Sequence, residues 1–189
     1  MSYLFNCYAG IYDHFMNAFH LNDTSIIEKE LKDKKYSILD VGGGSGTLAN
    51  CLQKQGHHVT ILDSSLPMLK QAQKKNNHIH LIHASLSNGV SPYQYDVIIC
   101  RDCFHHFTHQ EDSLNIMLDY LKEDGYIIIH EFNPKALRIK CLFLFERCCF
   151  EKIKPIDPIK LKSMCVKQNL HMTFLHLGRW DYVCKIQCK

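Results

Sequence analysis

Along the chain, short apolar runs of strand length alternate with stretches whose apolar residues recur at helical spacing. Residues 36–41, 58–62, 79–83, 95–100 and 126–131 are rich in Ile and Val and nearly unbroken, the pattern of strands covered on both faces. Between the last two, Thr108-His109-Gln110-Glu111 reads as a capping box. Leu114, Met117, Leu118 and Leu121 follow it at i, i+3, i+4 and i+7 before Gly125 ends the segment. Asp157-Pro158 opens another helix that runs to about residue 170. Beyond it, residues 171–177 and 180–187 form two strand-like runs joined by Gly178-Arg179, a hairpin. The alternation predicts an α/β protein with a doubly wound parallel sheet that closes on an antiparallel hairpin.

The first strand carries the chemistry. Ile38-Leu39-Asp40-Val41-Gly42-Gly43-Gly44-Ser45-Gly46-Thr47 is an apolar strand ending on an acid, a glycine loop, and the start of a helix. Gly42, Gly44 and Gly46 remove Cβ atoms where the backbone must bend and let a ligand come close, and the helix that follows begins with unpaired N–H groups. This is a nucleotide pocket. A carboxylate directly before the loop repels a pyrophosphate and attracts an ammonium, so Asp40 favours S-adenosylmethionine over a dinucleotide. The glycines alone leave both open, because Gly44-Ser45-Gly46-Thr47-Leu48-Ala49 also fits G-x-G-x-x-A and Asp63 follows about 20 residues on, where a dinucleotide fold places its ribose acid.

From Tyr36 to its end the sequence resembles the class I S-adenosylmethionine-dependent methyltransferases. The resemblance implies a Rossmann-like seven-stranded sheet with an antiparallel C-terminal strand and helices on both faces. It implies that Asp40 reaches the methionine ammonium, that Gly42 and Gly44 carry the amino-acid tail on their backbone, and that Asp63 accepts both ribose hydroxyls. Ser64 belongs to the same contact set, and Ser64 or Ser65 can cap the next helix. Met68 stands where the family packs a residue on the adenine, or is a helix-core methionine. The family often has an acid after the third strand to hold the adenine amino group; this chain departs from it with His83-Ala84-Ser85, any of which can take that contact. After the fourth strand, Arg101-Asp102-Cys103-Phe104-His105-His106-Phe107 resembles the family segment that lines the methyl-donor side. There Arg101 contacts the cofactor through its backbone, and Asp102, His105 and His106 orient the acceptor or take its proton. Adjacent side chains on a helical turn point in different directions, so one histidine faces the substrate, and His105 is the choice. Glu131, closing the fifth strand, is a further acid or base, or a cap for the helix after Pro134.

Residues 1–34 read as a separate helical segment ahead of a domain spanning 35–189. Its Tyr8-Ala9-Gly10-Ile11-Tyr12-Asp13-His14-Phe15-Met16-Asn17 is similar to the leading segment of the quinone-ring C-methyltransferases of ubiquinone and menaquinone synthesis. There the segment covers the cofactor pocket, which makes Tyr12 a cofactor contact here.

Composition narrows the partners. A length of 189 residues suits one domain, and a net charge of +3 without basic runs interleaved with aromatics gives no nucleic-acid surface. The Pro-Pro-aromatic signature of nucleic-acid amino-methyltransferases is missing after the fourth strand; Ser91-Pro92-Tyr93 lies before it and is a turn. No basic, apolar leader opens the chain, so its ten cysteines read as thiols in a reducing cytoplasm. Cys100-Arg101-Asp102-Cys103 is formally C-x-x-C with His105 and His106 behind it, which raises redox or metal chemistry. No second ligand pair has matching spacing, so no metal is expected. Cys148, Cys149, Cys184 and Cys188 read as small apolar fillers. Residues 136–150 are unusually apolar, yet Arg138, Lys140, Glu146 and Arg147 and the short length exclude a membrane span. The segment is a core helix, a dimer face, or a wall for a greasy acceptor or membrane surface, which leaves monomer, homodimer and peripheral membrane contact open. The expectation is methyl transfer from S-adenosylmethionine to a small, hydrophobic acceptor, leaving S-adenosylhomocysteine. An NAD-dependent oxidoreductase and a non-catalytic cofactor-binding sensor are the other classes carried forward.

Overall fold

The computed structural model describes residues 23–88, 94–149 and 153–189. The segment around Tyr12 and the Ser91-Pro92-Tyr93 turn lie outside the described residues. After a short helix α1 (Ser25–Glu30), the chain runs β1 (Ser37–Val41), α2 (Thr47–Lys54), β2 (His58–Asp63), α3 (Leu66–Lys75), β3 (His80–His83), β4 (Tyr95–Arg101) and α4 (Gln110–Asp119). It continues through β5 (Leu121–Phe132), α5 (Leu137–Cys149), α6 (Pro158–Lys167), β6 (Leu170–Leu177) and β7 (Asp181–Cys188). The seven strands form one sheet in the order β3-β2-β1-β4-β5-β7-β6. β1 to β5 pair in parallel, and β7 slots antiparallel between β5 and β6.

The period-2 direction of strand side chains divides the core in two. Ile38, Ile61, Val97, Ile99, Ile128 and Val183 face one side, where Ile27 and Leu31 and the stripes of α2 and α3 cover them. Leu39, Leu62, Ile98, Ile127, Ile129, Tyr182 and Cys184 face the other, under Leu114 and Met117 of α4 and Leu161 and Met164 of α6. A third, small cluster joins Ile139 and Phe143 of α5 to Phe132 and Ile153.

Asp157 caps α6 by accepting from the N–H groups of Ile159 and Lys160, with Pro158 at the first position. α4 starts one residue later than the capping box predicts. His109 is its N-cap and makes no side-chain cap bond. The helix also stops at Asp119 rather than running to Gly125, because Leu121 pairs with Tyr95 and draws the chain into β5 through a register shift. The hairpin turn spans residues 178–180 and is closed by the Gly178 N–H donating to the Asp181 carbonyl, 2.9 Å away. Cys184 fills the core as expected, whereas Cys188 is exposed at the end of β7.

Candidate active site

Ligands of open α/β sheets sit beyond the carboxyl ends of the strands, where the strand order reverses. Here that place lies between β1 and β4, and most of the residues singled out from sequence converge on it. The glycine loop leaves β1 with left-handed backbone at Gly42, Gly44 and Gly46 (φ 69°, 54° and 73°). Two of these glycines are packed against protein: a Cβ on Gly42 would stand 2.1 Å from Cys103 Sγ, and one on Gly46 would stand 2.8 Å from Ala72 Cβ. Among the described residues, a Cβ on Gly44 would meet only the Gly42 carbonyl, at 3.8 Å, which leaves room for a ligand on that side of the loop.

Asp40 lies under this loop with 2% of its surface exposed, so close that a Cβ on Gly43 would fall 2.6 Å from its Oδ2. That oxygen has no hydrogen-bond partner among the described residues. Burial pushes the carboxyl up to about 7, opposed by the Arg101 charge and helped by the Asp63 charge. A buried carboxylate oxygen without a donor is costly, and its natural complement is a cation or a strong donor placed above it.

Asp63 is also buried, and it is not left free by the helix cap. Its Oδ2 accepts from the Gly44 N–H (3.0 Å) and its Oδ1 from the Ser65 N–H (2.7 Å), while Ser65 Oγ caps α3 at the Met68 N–H. Burial raises the Asp63 carboxyl above its ordinary value, against those two backbone bonds and the His83 charge. The acid thus ties the glycine loop to the β2–α3 turn, and each oxygen keeps a second lone-pair direction for a ligand. Met68 is fully buried. His83 is exposed, its Nε2 lying 3.2 Å from the Ser64 carbonyl, and Ser85 Oγ lies 2.9 Å from Ser87 Oγ. The Ala84 N–H donates to the Asp63 carbonyl.

On the β4–β5 side the centre is Glu131, 1% exposed. Its Oε1 accepts from the backbone N–H groups of Cys103 (3.1 Å) and His105 (3.2 Å), and its Oε2 from His105 Nδ1 (2.8 Å). It does not cap the helix after Pro134. Burial works to raise its carboxyl, but the His105 charge and the bonds from His105 outweigh it and hold the group below its ordinary value. The turn Phe104–His106 that carries His105 is pinned from outside as well. Buried Gln110 donates to the carbonyls of Phe104 and Lys154, and the Lys154 N–H donates to the His105 carbonyl. The His106 ring lies 4.1 Å from the His105 ring, and burial, with the His105 charge, pushes His106 down to about 3. A histidine so far from the working pH is a weak proton acceptor, and His105 is the fully buried member of the pair, bonded to Glu131. Asp102 takes positive φ (50°) to turn the chain out of β4. Asp102, His105 and Glu131 each offer one ligand atom, all within 4.8 Å of one another, so this trio is the one group of three among the described residues placed to hold a cation.

Sequence reasoning left the place of the 136–150 helix open and missed two further parts. The Phe143 ring of α5 stands edge-on to His105, with centroids 5.2 Å apart, which puts the helix against the His105 turn. His130, 6% exposed, holds Asp181 Oδ2 at 3.0 Å, and His176 Nε2 lies 3.5 Å from Asp181 Oδ1. Lys154 closes the His105 turn. A polar pair, His130-Glu131, at the end of an all-isoleucine run was the available signal for the His130–Asp181 contact. Arg101, Asp102, His130, Glu131 and Phe132 line a crevice too narrow to admit a water molecule.

A family model described as "Methyltransferase domain" matches residues 12–176. The chain is 30% identical over 134 residues to the ubiquinone biosynthesis O-methyltransferase of Rickettsia prowazekii, covering 67% of this chain and 52% of that protein. It is 28% identical over 135 residues to the mitochondrial ubiquinone biosynthesis O-methyltransferase of Schizosaccharomyces pombe, covering 66% and 48%. The chain spans about half the length of these curated relatives. A solved structure of a SAM-dependent methyltransferase from Thermotoga maritima superposes over the whole of both chains with a TM-score of 0.79 at 14% identity, a likeness of fold.

Proposed function

The chain belongs to the methyltransferase domain family, and on that premise we propose that it transfers a methyl group from S-adenosylmethionine to a small, apolar acceptor. The observation that carries this reading is the buried Asp40 oxygen, without a hydrogen-bond partner among the described residues, beneath the glycine loop at Gly43. S-adenosylmethionine, when bound, supplies a sulfonium methyl for in-line displacement. Asp40 would hold its ammonium, the Gly42–Gly44 backbone its tail, and Asp63, with Ser64 beside it, the ribose. The remaining assignments follow position: Met68, His83, Ala84 and Ser85 toward the adenine, and the Arg101 backbone along the tail. Tyr12 and the segment to residue 34 are proposed as the cover.

Displacement of this kind depends on alignment and dryness more than on side-chain chemistry. His105, with Nδ1–H fixed on Glu131, would present the other ring edge toward the acceptor, Asp102 would orient it, and Phe143 would keep water away. His106 is a supporting neighbour. The apolar wall favours a hydrophobic acceptor, in keeping with the ubiquinone names of the relatives. α5 exposes Leu137, Cys141 and Leu144 with Lys140 and Arg147, which supports a peripheral contact with an anionic membrane surface. No helix among the described residues is long and apolar enough to cross a membrane. Action in the cytoplasm, as monomer or homodimer, completes the proposal. An NAD-dependent oxidoreductase is disfavoured by Asp40, whose charge would face a pyrophosphate.

Thermal unfolding with S-adenosylhomocysteine, S-adenosylmethionine and NAD(H) in parallel tests the reading. Ligand at about 100 times its dissociation constant adds about 2.7 kcal/mol, a rise of roughly 5–10 °C for a chain of this size. A rise with NAD(H), or with none, would overturn it. Gly44→Ala separates binding from folding: the left-handed backbone costs an alanine about 1–3 kcal/mol, while its methyl enters the ligand's space. The expected variant melts within about 10 °C of wild type and shows no rise with S-adenosylhomocysteine.

A further inference from the structure

Gln110, the first residue of α4, is only 8% exposed, although an amide side chain belongs as a rule at the surface. Its Nε2 donates to two main-chain carbonyls, Phe104 at 3.2 Å and Lys154 at 2.8 Å. An amide nitrogen carries two hydrogens, so the side chain is held at both. The two carbonyls belong to separate parts of the site. Phe104 opens the turn that carries His105, and Lys154 lies in the connection between α5 and α6. The Lys154 N–H returns to the His105 carbonyl at 2.7 Å, and its Nζ donates to the Thr108 carbonyl at 2.6 Å. On either side of Lys154 the connection is anchored. Ile153 packs in the α5 cluster with Phe143, and the Ile156 carbonyl accepts from the buried Tyr182 hydroxyl at 2.9 Å.

We propose that Gln110 is a positioning residue for methyl transfer, which acts by fixing the His105 ring in its place against Phe143 and Glu131. The inference deepens the methyltransferase reading above and rests on it for the use made of His105. The turn Phe104–His106 is three residues long and cannot hold itself rigid. Glu131 accepts from the turn's donors, while Gln110 and Lys154 donate to its carbonyls, so its two kinds of polar group are fixed by different elements. Removing the Gln110 amide takes a donor from two carbonyls at once and unties the His105 turn from the connection that packs on Phe143. A reacting group misplaced by about 1 Å can lose about 100-fold in rate. The bonds of Gln110 run to the turn and the connection rather than to the glycine loop, so cofactor binding does not depend on them.

Gln110→Met keeps the length of the side chain and removes both donors; Gln110→Asn is too short to reach both carbonyls. The ring protons of His105, assigned by their loss in His105→Gln, carry a ring-current displacement from Phe143, and Phe143→Leu measures its size. NMR of the histidine-labelled protein should find these protons, in either Gln110 variant, moved at least half of the way to their Phe143→Leu positions. The rise in melting temperature with S-adenosylhomocysteine should be unchanged, and turnover of S-adenosylmethionine with apolar phenols should fall at least tenfold at an unchanged KM for the cofactor. Leu52→Ala, a cavity on the other face of the sheet, should leave the His105 protons in place. The inference is overturned if the Gln110 variants keep the wild-type ring positions or turnover, or if Leu52→Ala moves the ring protons as far. A wild type without the rise refutes the cofactor reading, and one with the rise but no turnover refutes the acceptor reading; in either case the ring protons alone decide whether Gln110 places His105.

Discussion

Replacing Asp40 with Asn should stabilise the ligand-free protein at neutral pH while abolishing its response to S-adenosylhomocysteine. In the unfolded chain the carboxyl titrates at its ordinary 3.8; in the fold, burial pushes it up to about 7. Folding therefore favours the protonated acid. With respect to this group the fold is at its best below pH 3.8, loses ground as pH rises toward 7, and carries the full penalty above it. The gap converts to about 4 kcal/mol at most, at 1.36 kcal/mol for each factor of ten. A neutral amide escapes that penalty but offers no charge to an ammonium. The expected variant melts roughly 5–15 °C higher at pH 8, with the difference vanishing toward pH 4, and calorimetry shows no binding of S-adenosylhomocysteine. The wild type should bind about tenfold more weakly for each pH unit below 7, because binding must first ionise the acid. A less stable variant, or one that binds normally, would show that Asp40 is structural.

Glu131→Ala should have the opposite effect on stability. It strips three donors of a buried acceptor at once: the N–H groups of Cys103 and His105 and the His105 ring. Breaking one side of a buried charged pair costs about 3–5 kcal/mol, which at 2–4 °C per kcal/mol lowers the melting temperature by roughly 6–20 °C. Because the Glu131 carboxyl is held below its ordinary 4.5, its stabilisation is in full force above that pH and fades as pH falls through the lowered value. The gap between wild type and variant should therefore narrow in acid. Glu131→Gln keeps the volume and one acceptor oxygen, so it should fold with an intermediate loss while turnover with any acceptor falls at least tenfold, through the misplaced His105 ring. Normal melting of the alanine variant would remove Glu131 from the centre of this network.

The strands were legible because burial on both faces leaves a plain signature, apolar runs rich in Ile and Val, as at 97–99 and 127–129. The glycine loop was legible because left-handed backbone and close approach are properties of the residue itself. Segment ends were less so. The stripe Leu114, Met117, Leu118, Leu121 continues past the real end of α4, since Leu121 is apolar enough for either a helix or a strand and only its pairing with Tyr95 decides. The capping box failed for a similar reason: the backbone at His109, not the side chain of Thr108, begins the helix.

What the sequence determined by itself was local: an acid before a glycine loop, an alternation that must fold as a doubly wound sheet, and a closing hairpin. Partnership among distant residues was decided only in three dimensions. Asp63 reads as a ribose acid, but the fold also spends it on the Gly44 and Ser65 amides. Glu131 reads as a lone acid or a cap, and becomes the acceptor that fixes His105, 26 positions away. Cys103 reads as half of a motif, and proves to be the packing under Gly42. Each depends on which side chains meet once strands far apart in the chain lie side by side in register, and no periodicity within one segment encodes that meeting.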